Sequence, residues 1–271
     1  MIPYIHVPSF HLGPAKIEPF GALVALGIFV AAGIASRAAR ADRRSLRPLE
    51  DFVPWGIAAG VVGAHLVHLF CYHPEELALS PWQLFKVWDG LSSTGGVLGG
   101  MLAAAVVFPL RRARFGDYAD ALALGMAPGW GIARLGCFAA HDHPGVHSDF
   151  FLAVAFPDGP RHDLGLDDAL ALFAITALIF VLRRRKVLQG RLLGVLALCY
   201  ATSRFSLDFL RARDLSYVDA RYLGLTPAQF ACIALFTYGA YQVARGLRAS
   251  SPRDAEAPAE SPMGATDRPA A

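Results

Sequence analysis

Seven long apolar runs, at about residues 20–39, 52–72, 95–110, 119–140, 164–182, 192–210 and 228–243, constrain this chain more than any other feature. Each approaches the roughly 20 residues with which a helix crosses the hydrocarbon core of a bilayer. Apolar residues fill the runs instead of recurring at the spacing of a one-faced surface helix, so lipid is the expected surrounding. Composition agrees, since 55% of the 271 residues are hydrophobic and 17% charged, too few charges to cover a water-soluble domain. The chain is read as all-α, a polytopic integral membrane protein with about seven transmembrane helices.

The charges that remain fix an orientation. Basic residues near span ends are held on the cytoplasmic side. Here Arg37, Arg40, Arg43, Arg44 and Arg47 follow the first run, and Arg111, Arg112 and Arg114 the third. Arg183, Arg184, Arg185, Lys186 and Arg191 follow the fifth, and Arg245 and Arg248 the seventh. This alternation places the N-terminus outside and the C-terminus inside. It also accounts for a net charge of +3 without a nucleic-acid partner. The first run has no basic region before it and no small-residue cleavage site after it, so it is expected to be retained as a span. Residues 1–248 form the membrane domain; 249–271, rich in Pro, Ala, Ser and acid, are expected to be a disordered cytoplasmic tail.

Cys71, Cys137, Cys199 and Cys232 lie in or at the ends of apolar runs, without the close pairing of zinc or redox motifs, and read as small buried hydrophobes. Gly56 with Gly60, Gly96 with Gly100, and Gly125 with Gly129 are small-xxx-small pairs that let helices approach closely. The doublets Gly95-Gly96 and Gly99-Gly100 are denser than packing alone requires, and also offer backbone amides to a headgroup. The external connection 141–163 is long, which points to function.

An ionisable group inside an apolar run marks an internal polar cavity, because charge in hydrocarbon is costly. Arg134 and Arg204 each lie about six residues, or about 9 Å, before the outer end of an outward-running span, and so at matching depth. Tyr200, Arg204, Asp208 and Arg211 follow at intervals of four, four and three, which puts them on one helix face. An Arg204–Asp208 pair would satisfy itself but would leave Arg134 without a partner. His65, His68 and Tyr72 share a face in the outer half of the second run, beside the hydroxyls and glycines of Ser92-Ser-Thr-Gly-Gly96, and suggest a polar chamber. Two guanidinium groups at one depth suit an anionic lipid headgroup such as a phosphodiester. His141, Asp142, His143, His147 and His162 also hold donors for an external metal site, although their spacing matches no metal motif.

On these residues the chain resembles the prolipoprotein diacylglyceryl transferases. The family segment Gly-Arg-x-Gly-Asn-Phe is similar to Ala133-Arg-Leu-Gly-Cys-Phe138, and Tyr-Gly-x-x-Arg-Phe-x-x-Glu-Phe-x-Arg to Tyr200-Ala-Thr-Ser-Arg-Phe-Ser-Leu-Asp-Phe-Leu-Arg211. Arg161-His162 with Asp168-Ala-Leu170 resembles the family's external Arg-His segment. Trp88-Asp-Gly90 with Gly95-Gly96 resembles its Trp-Glu-Gly-Gly-x-Ser-Phe-His-Gly-Gly. Thr94 stands where the family has histidine, Cys137 where it has asparagine, and His65 where arginine is usual.

The resemblance implies a multi-pass protein of the bacterial inner (cytoplasmic) membrane. Its reaction moves a diacylglyceryl group from phosphatidylglycerol to the lipobox cysteine thiol of a prolipoprotein signal peptide, releasing glycerol phosphate. It implies Arg134 and Arg204 as catalytic phosphate-holding groups, and Thr94, Gly95, Gly96, Tyr200, Asp208 and Arg211 as substrate-binding groups. No cofactor is implied. The missing histidine leaves the thiol's base to His141, His65 or Asp208, or leaves a relative that binds lipid without turnover.

Overall fold

The structure is a computed structural model that describes residues 1–249 except 6, 13, 14, 88, 89, 216, 217, 219 and 220. Trp88 and Asp89 of the family-like segment, and the expected tail from residue 250 onward, therefore lie outside the described residues. Helices dominate: α1 (Pro19–Ala41), α2 (Arg47–Val67), the short α3 (Pro74–Leu79), α4 (Ser93–Leu110), α5 (Ala119–Ala140), α6 (Leu164–Arg184), α7 (Leu192–Leu207) and α8 (Pro227–Ala249). Among the described residues, six helices are long and apolar enough to cross a membrane: α1, α2 with its extension to Tyr72, α4, α5, α6 and α7 with its extension to Leu210. The protein is thus a multi-pass membrane protein. Helix α8 occupies the place of the seventh run and has 23 residues. It is not one of the six, and Gln229, Thr237 and Gln242 interrupt its apolar stretch.

Glycine decides which helices touch, though not always the glycines that spacing singles out. A Cβ on Gly95 or Gly99 would collide with the backbone of Gly63 or Ala59, so α4 lies directly on α2. A Cβ on Gly125 or Gly129 would likewise collide with the Ala31 or Gly27 carbonyl, which seats α5 on α1. Gly100 faces open space, and Gly56 meets only Phe52 of its own helix. Leu172, Ile175 and Ile179 of α6 then pack with Ala123, Leu124 and Ala127 of α5 and with Leu192, Val195 and Leu196 of α7 to form the main core.

The two ends of the bundle differ in chemistry. At one end the arginine clusters gather, partly paired: Arg183 with Asp42, Arg111 with Asp51 at 2.5 Å and Arg44 with Asp117 at 3.3 Å. There Asp120 of α5 accepts from the backbone amides of Gly190 at 2.6 Å and Leu192 at 2.9 Å, satisfying donors that the start of α7 leaves open. At the other end the long connection is ordered as β4 (Pro144–His147), β5 (Val154–Phe156) and β6 (Gly159–Asp163). The N-terminal strand β1 (Ile2–Pro3) lies parallel to β5, giving the order β1-β5-β6-β4. Strands β2 (Phe10–Leu12) and β3 (Ala15–Ile17) form a separate antiparallel pair.

One contact closes both ends of this connection. His141 ends α5 in the left-handed region, with φ of 49°, and its Nδ1 meets Asp163 Oδ2 at 2.7 Å. Asp163 in turn caps α6, accepting from the amides of Gly165 at 3.0 Å and Leu166 at 3.3 Å. Gly145 bridges to Arg211, which lays β4 across the end of α7; a Cβ there would stand 2.8 Å from that of His162.

Candidate active site

Helices α5, α6 and α7 each bring one charge to the sheet end of the bundle. Arg134 and Arg204 are 3% and 6% exposed, and between them lies Asp168, 1% exposed. Its Oδ2 is 3.3 Å from Arg134 Nε and 3.0 Å from Arg204 NH1, so one carboxylate binds the two guanidinium groups together. Arg204 NH2 donates at 3.0 Å to Asp208 Oδ1, which also lies 3.3 Å from Arg211 Nε. The Thr226 hydroxyl donates to the other oxygen of Asp208, and Gln229 holds Thr226 through its amide at 3.0 Å. Tyr200 packs against Trp130 with ring centroids 4.2 Å apart and the planes tilted by 37°, its hydroxyl beside the Arg134 guanidinium.

The expected stripe on α7 is therefore assembled, and Arg134 has a partner that the spacing argument did not supply. Asp168 appeared only as part of a family-like segment. The rule that singled out the arginines, ionisable groups inside apolar runs, applies to it equally, because Asp167-Asp168 lies within the run 164–182. Thr226 lies between runs and carried no such signal.

Arg134 is less completely satisfied than Arg204. Its NH1 approaches Cys137 Sγ at 3.6 Å and its NH2 approaches Ser93 Oγ at 3.3 Å. Its Nε, though within ion-pair range of Asp168, meets no hydrogen-bond acceptor in good geometry, and neither does Asp168 Oδ1 meet a donor. Ser93 is itself exposed, so this edge of the guanidinium leads to the surface. A buried donor without an acceptor is expensive, and such groups concentrate where a ligand completes the set.

The remaining predicted positions fall as follows. Ser93, rather than its neighbour Thr94, supplies the hydroxyl on Arg134. Gly95 is committed to the crossing with α2; Gly96 faces the same helix more loosely, a Cβ there standing 3.8 Å from the Gly60 carbonyl oxygen. Neither contact is with the arginines. Of the expected chamber, His65 and His68 come together at Gly90, where a Cβ would collide with the His68 ring. His65 is buried, with Nε2 2.8 Å from the Gln83 carbonyl and Nδ1 3.3 Å from that of Gly90. From His68 to Tyr72 the helix widens to a π-turn.

The five groups of the external metal reading are dispersed. His141 is held by Asp163, His162 meets Asp167 at 3.1 Å, and His147 turns toward Asp214 at 3.6 Å. Asp142 and His143 instead converge with Cys137, their polar atoms within 4.8 Å of one another. Asp142 keeps its side chain partly exposed, yet the protein packed around it removes enough solvent to push it up to about 6, with Arg134 pulling the other way. Burial, with Arg134, Arg211 and Arg204 nearby, holds the His143 ring well below the ordinary histidine value.

A second arginine centre lies in the sheet. Arg161, 2% exposed, donates through Nε and NH2 to Asp158 at 2.9 and 2.6 Å. Through NH1 and NH2 it donates to Asp214 at 3.1 and 2.5 Å, and through NH1 to the Gly145 carbonyl at 3.1 Å. These bonds hold Asp214 down at about 2.

Comparison with known proteins shows the family. Residues 8–245 match the family model described as prolipoprotein diacylglyceryl transferase. A phosphatidylglycerol–prolipoprotein diacylglyceryl transferase of Chromohalobacter salexigens is 32% identical over 219 residues, covering 78% of this chain and 81% of that protein. The protein of the same name from Pseudomonas paraeruginosa is 30% identical over 88% of this chain and 92% of its own length. One from Nitratidesulfovibrio vulgaris is 27% identical over 90% and 95%.

Proposed function

Because this chain belongs to the prolipoprotein diacylglyceryl transferase family, we propose that it moves the diacylglyceryl group of phosphatidylglycerol onto the lipobox cysteine thiol of a prolipoprotein and releases glycerol phosphate. The observation that carries this reading is the incompletely satisfied Arg134 beside Arg204. Arg134 and Arg204 share the carboxylate of Asp168, and the Arg134 Nε keeps no well-placed acceptor, which supports a phosphodiester as the group that completes its donor set. In a water-poor site such fixed charge acts where the leaving phosphate gains negative charge. Asp168 and Asp208 orient the arginines, and Tyr200 lines the pocket. The face of α4 that begins at Ser93 and Thr94 borders the lipid's approach to Arg134, with Gly95 and Gly96 letting α2 and α4 close behind it.

The sheet end faces outward from the bacterial cytoplasmic membrane, and the arginine-rich end faces the cytoplasm with residues 249–271. The membrane domain 1–248 carries the reaction. A second reading, a relative that binds phosphatidylglycerol without turnover, is favoured by Thr94 at the family's histidine position. The test incubates the purified protein with phosphatidylglycerol vesicles and a lipobox peptide, and follows the thioether product by mass. Product that disappears in Arg204→Ala is expected. Lipid binding without product moves the assignment to the second reading, and neither binding nor product overturns both.

A further inference from the structure

We propose that His143, in the connection that follows α5, is the proton acceptor for the substrate thiol, in place of the histidine that the chain lacks at Thr94. The inference rests on the transferase reading and names a group that it requires. A thiol at neutral pH is mostly protonated, and its thiolate is the nucleophile. The acceptor must therefore lie at the phosphate-holding arginines with a nitrogen lone pair available.

The other described histidines near this end are engaged elsewhere. His141 spends Nδ1 on Asp163 and sets Nε2 3.3 Å from the Ile5 carbonyl; His65 faces two carbonyls; His162 meets Asp167. His143 differs in both place and bonding. Its Nδ1 is 2.7 Å from the backbone carbonyl of Asp142, an acceptor only, so Nδ1 carries the proton and Nε2 the lone pair. The Leu164 amide donates to the His143 carbonyl at 3.0 Å, which fixes the backbone. The ring shares its cluster with Cys137 Sγ, the sulfur that Arg134 touches, and so stands one side chain away from the proposed phosphate position.

Charge around the ring gives this acceptor a dependence on the lipid. Arg134 and Cys137 face it from α5, Asp142 from its own segment, Arg204 from α7 and Arg211 from the segment after it, while Asp168 of α6 lies behind the arginines. Burial first, and then the three guanidinium groups, hold the ring below the ordinary histidine value. A phosphodiester held between Arg134 and Arg204 adds negative charge and raises its basicity as the substrate binds. The same permanent charge beside Cys137 disfavours a metal cation there.

The step balances. The thiol proton passes to Nε2. Sulfur forms its bond to the glyceryl carbon as that carbon's bond to the phosphate oxygen breaks, and the electron pair leaves on glycerol phosphate. The imidazolium then gives its proton to water.

The test compares the parent, His143→Gln, the double variant His143→Gln/Thr94→His, and His147→Gln as a control, using phosphatidylglycerol vesicles and a lipobox peptide. Loss of His143 is expected to lower kcat by about a hundredfold or more while phosphatidylglycerol binding stays within about threefold of the parent. Thr94→His in that background is expected to restore at least about tenfold. The parent's kcat/KM is expected to fall on the acid side below the ordinary histidine value, and this limb should vanish in His143→Gln. A folded His143→Gln variant with a parental kcat, or a parent profile with no such limb, overturns the assignment of His143 alone. A parent without turnover overturns the transferase reading with it.

Discussion

Arg161 and Arg134 are both buried arginines at the same end of the molecule, and they are treated in opposite ways. Arg161 meets two carboxylates and a carbonyl, and Nε, NH1 and NH2 all donate. Arg134 shares one carboxylate with Arg204 and otherwise has a thiol, a hydroxyl and an Nε without a well-placed acceptor. The saturated arginine ties β6 to residue 214 and to β4, and has nothing left to offer a ligand. The unsaturated one is held in place by Asp168 with part of its donor set unused. Burial of a charge therefore does not mark a binding site; the unfilled hydrogen-bond capacity beside it does.

Arg134→Lys should show the contrast most strongly. It keeps the charge but loses the planar fork, and is expected to lower thioether formation by about a hundredfold with the fold intact. A variant that retains the parental rate would mean that the unused donors have no role. Arg161→Ala should act on stability instead. With its carboxylate partners half exposed, the expected loss is about 1–2 kcal/mol in detergent melting. Faster proteolysis within residues 144–163 and an unaltered KM for phosphatidylglycerol should accompany it. A raised KM with unchanged melting would reverse the roles of the two arginines.

Ser93→Ala removes one neutral partner of Arg134, so a severalfold rise in KM, below about 1 kcal/mol, is expected. The smallest effects concern pH. The folded value of Asp214 lies near 2, below that of an unfolded aspartate, so its contribution is present above pH of about 3.9 and is lost as pH falls through 2. Asp142, raised to about 6, has the opposite sign: its contribution is present below about 3.9 and is lost as pH rises through 6. Melting curves at pH 7 should therefore shift upward in Asp142→Asn and downward in Asp214→Asn. The same direction in both would contradict the difference between the two centres.

The helices and the arginines were legible in the sequence, for one reason: hydrocarbon penalises polar groups so heavily that their positions stand out without any tertiary information. Arg134, Arg204 and Asp208 lie inside apolar runs and obey that rule, as does Asp168 at the start of the fifth run, while Arg211 is reached through the face it shares with Arg204 and Asp208. What stayed hidden depends on partners distant along the chain. Spacing alone permits Gly56 or Gly63 to face α4, and only the backbone of Gly95 selects Gly63. The strands of the outer connection are three to five residues long, too short for an alternating pattern. The widened turn at His68–Tyr72 is likewise not visible in residue spacing. Ser93, which is not among the expected substrate-binding groups, meets Arg134 while its neighbour Thr94 points elsewhere, because a shift of one residue turns a helical side chain by about 100°.

The pairing of Ile2 with Val154 also acts as a parity check on membrane insertion. Four helices long and apolar enough to cross a membrane, α1, α2, α4 and α5, separate the two strands, and an even number of crossings returns a chain to the side from which it started. If any one of the four failed to insert, β1 and β5 would emerge on opposite sides and the sheet could not close. The two-residue strand β1 thereby reports, by joining or not joining β5, whether an even number of crossings separates them.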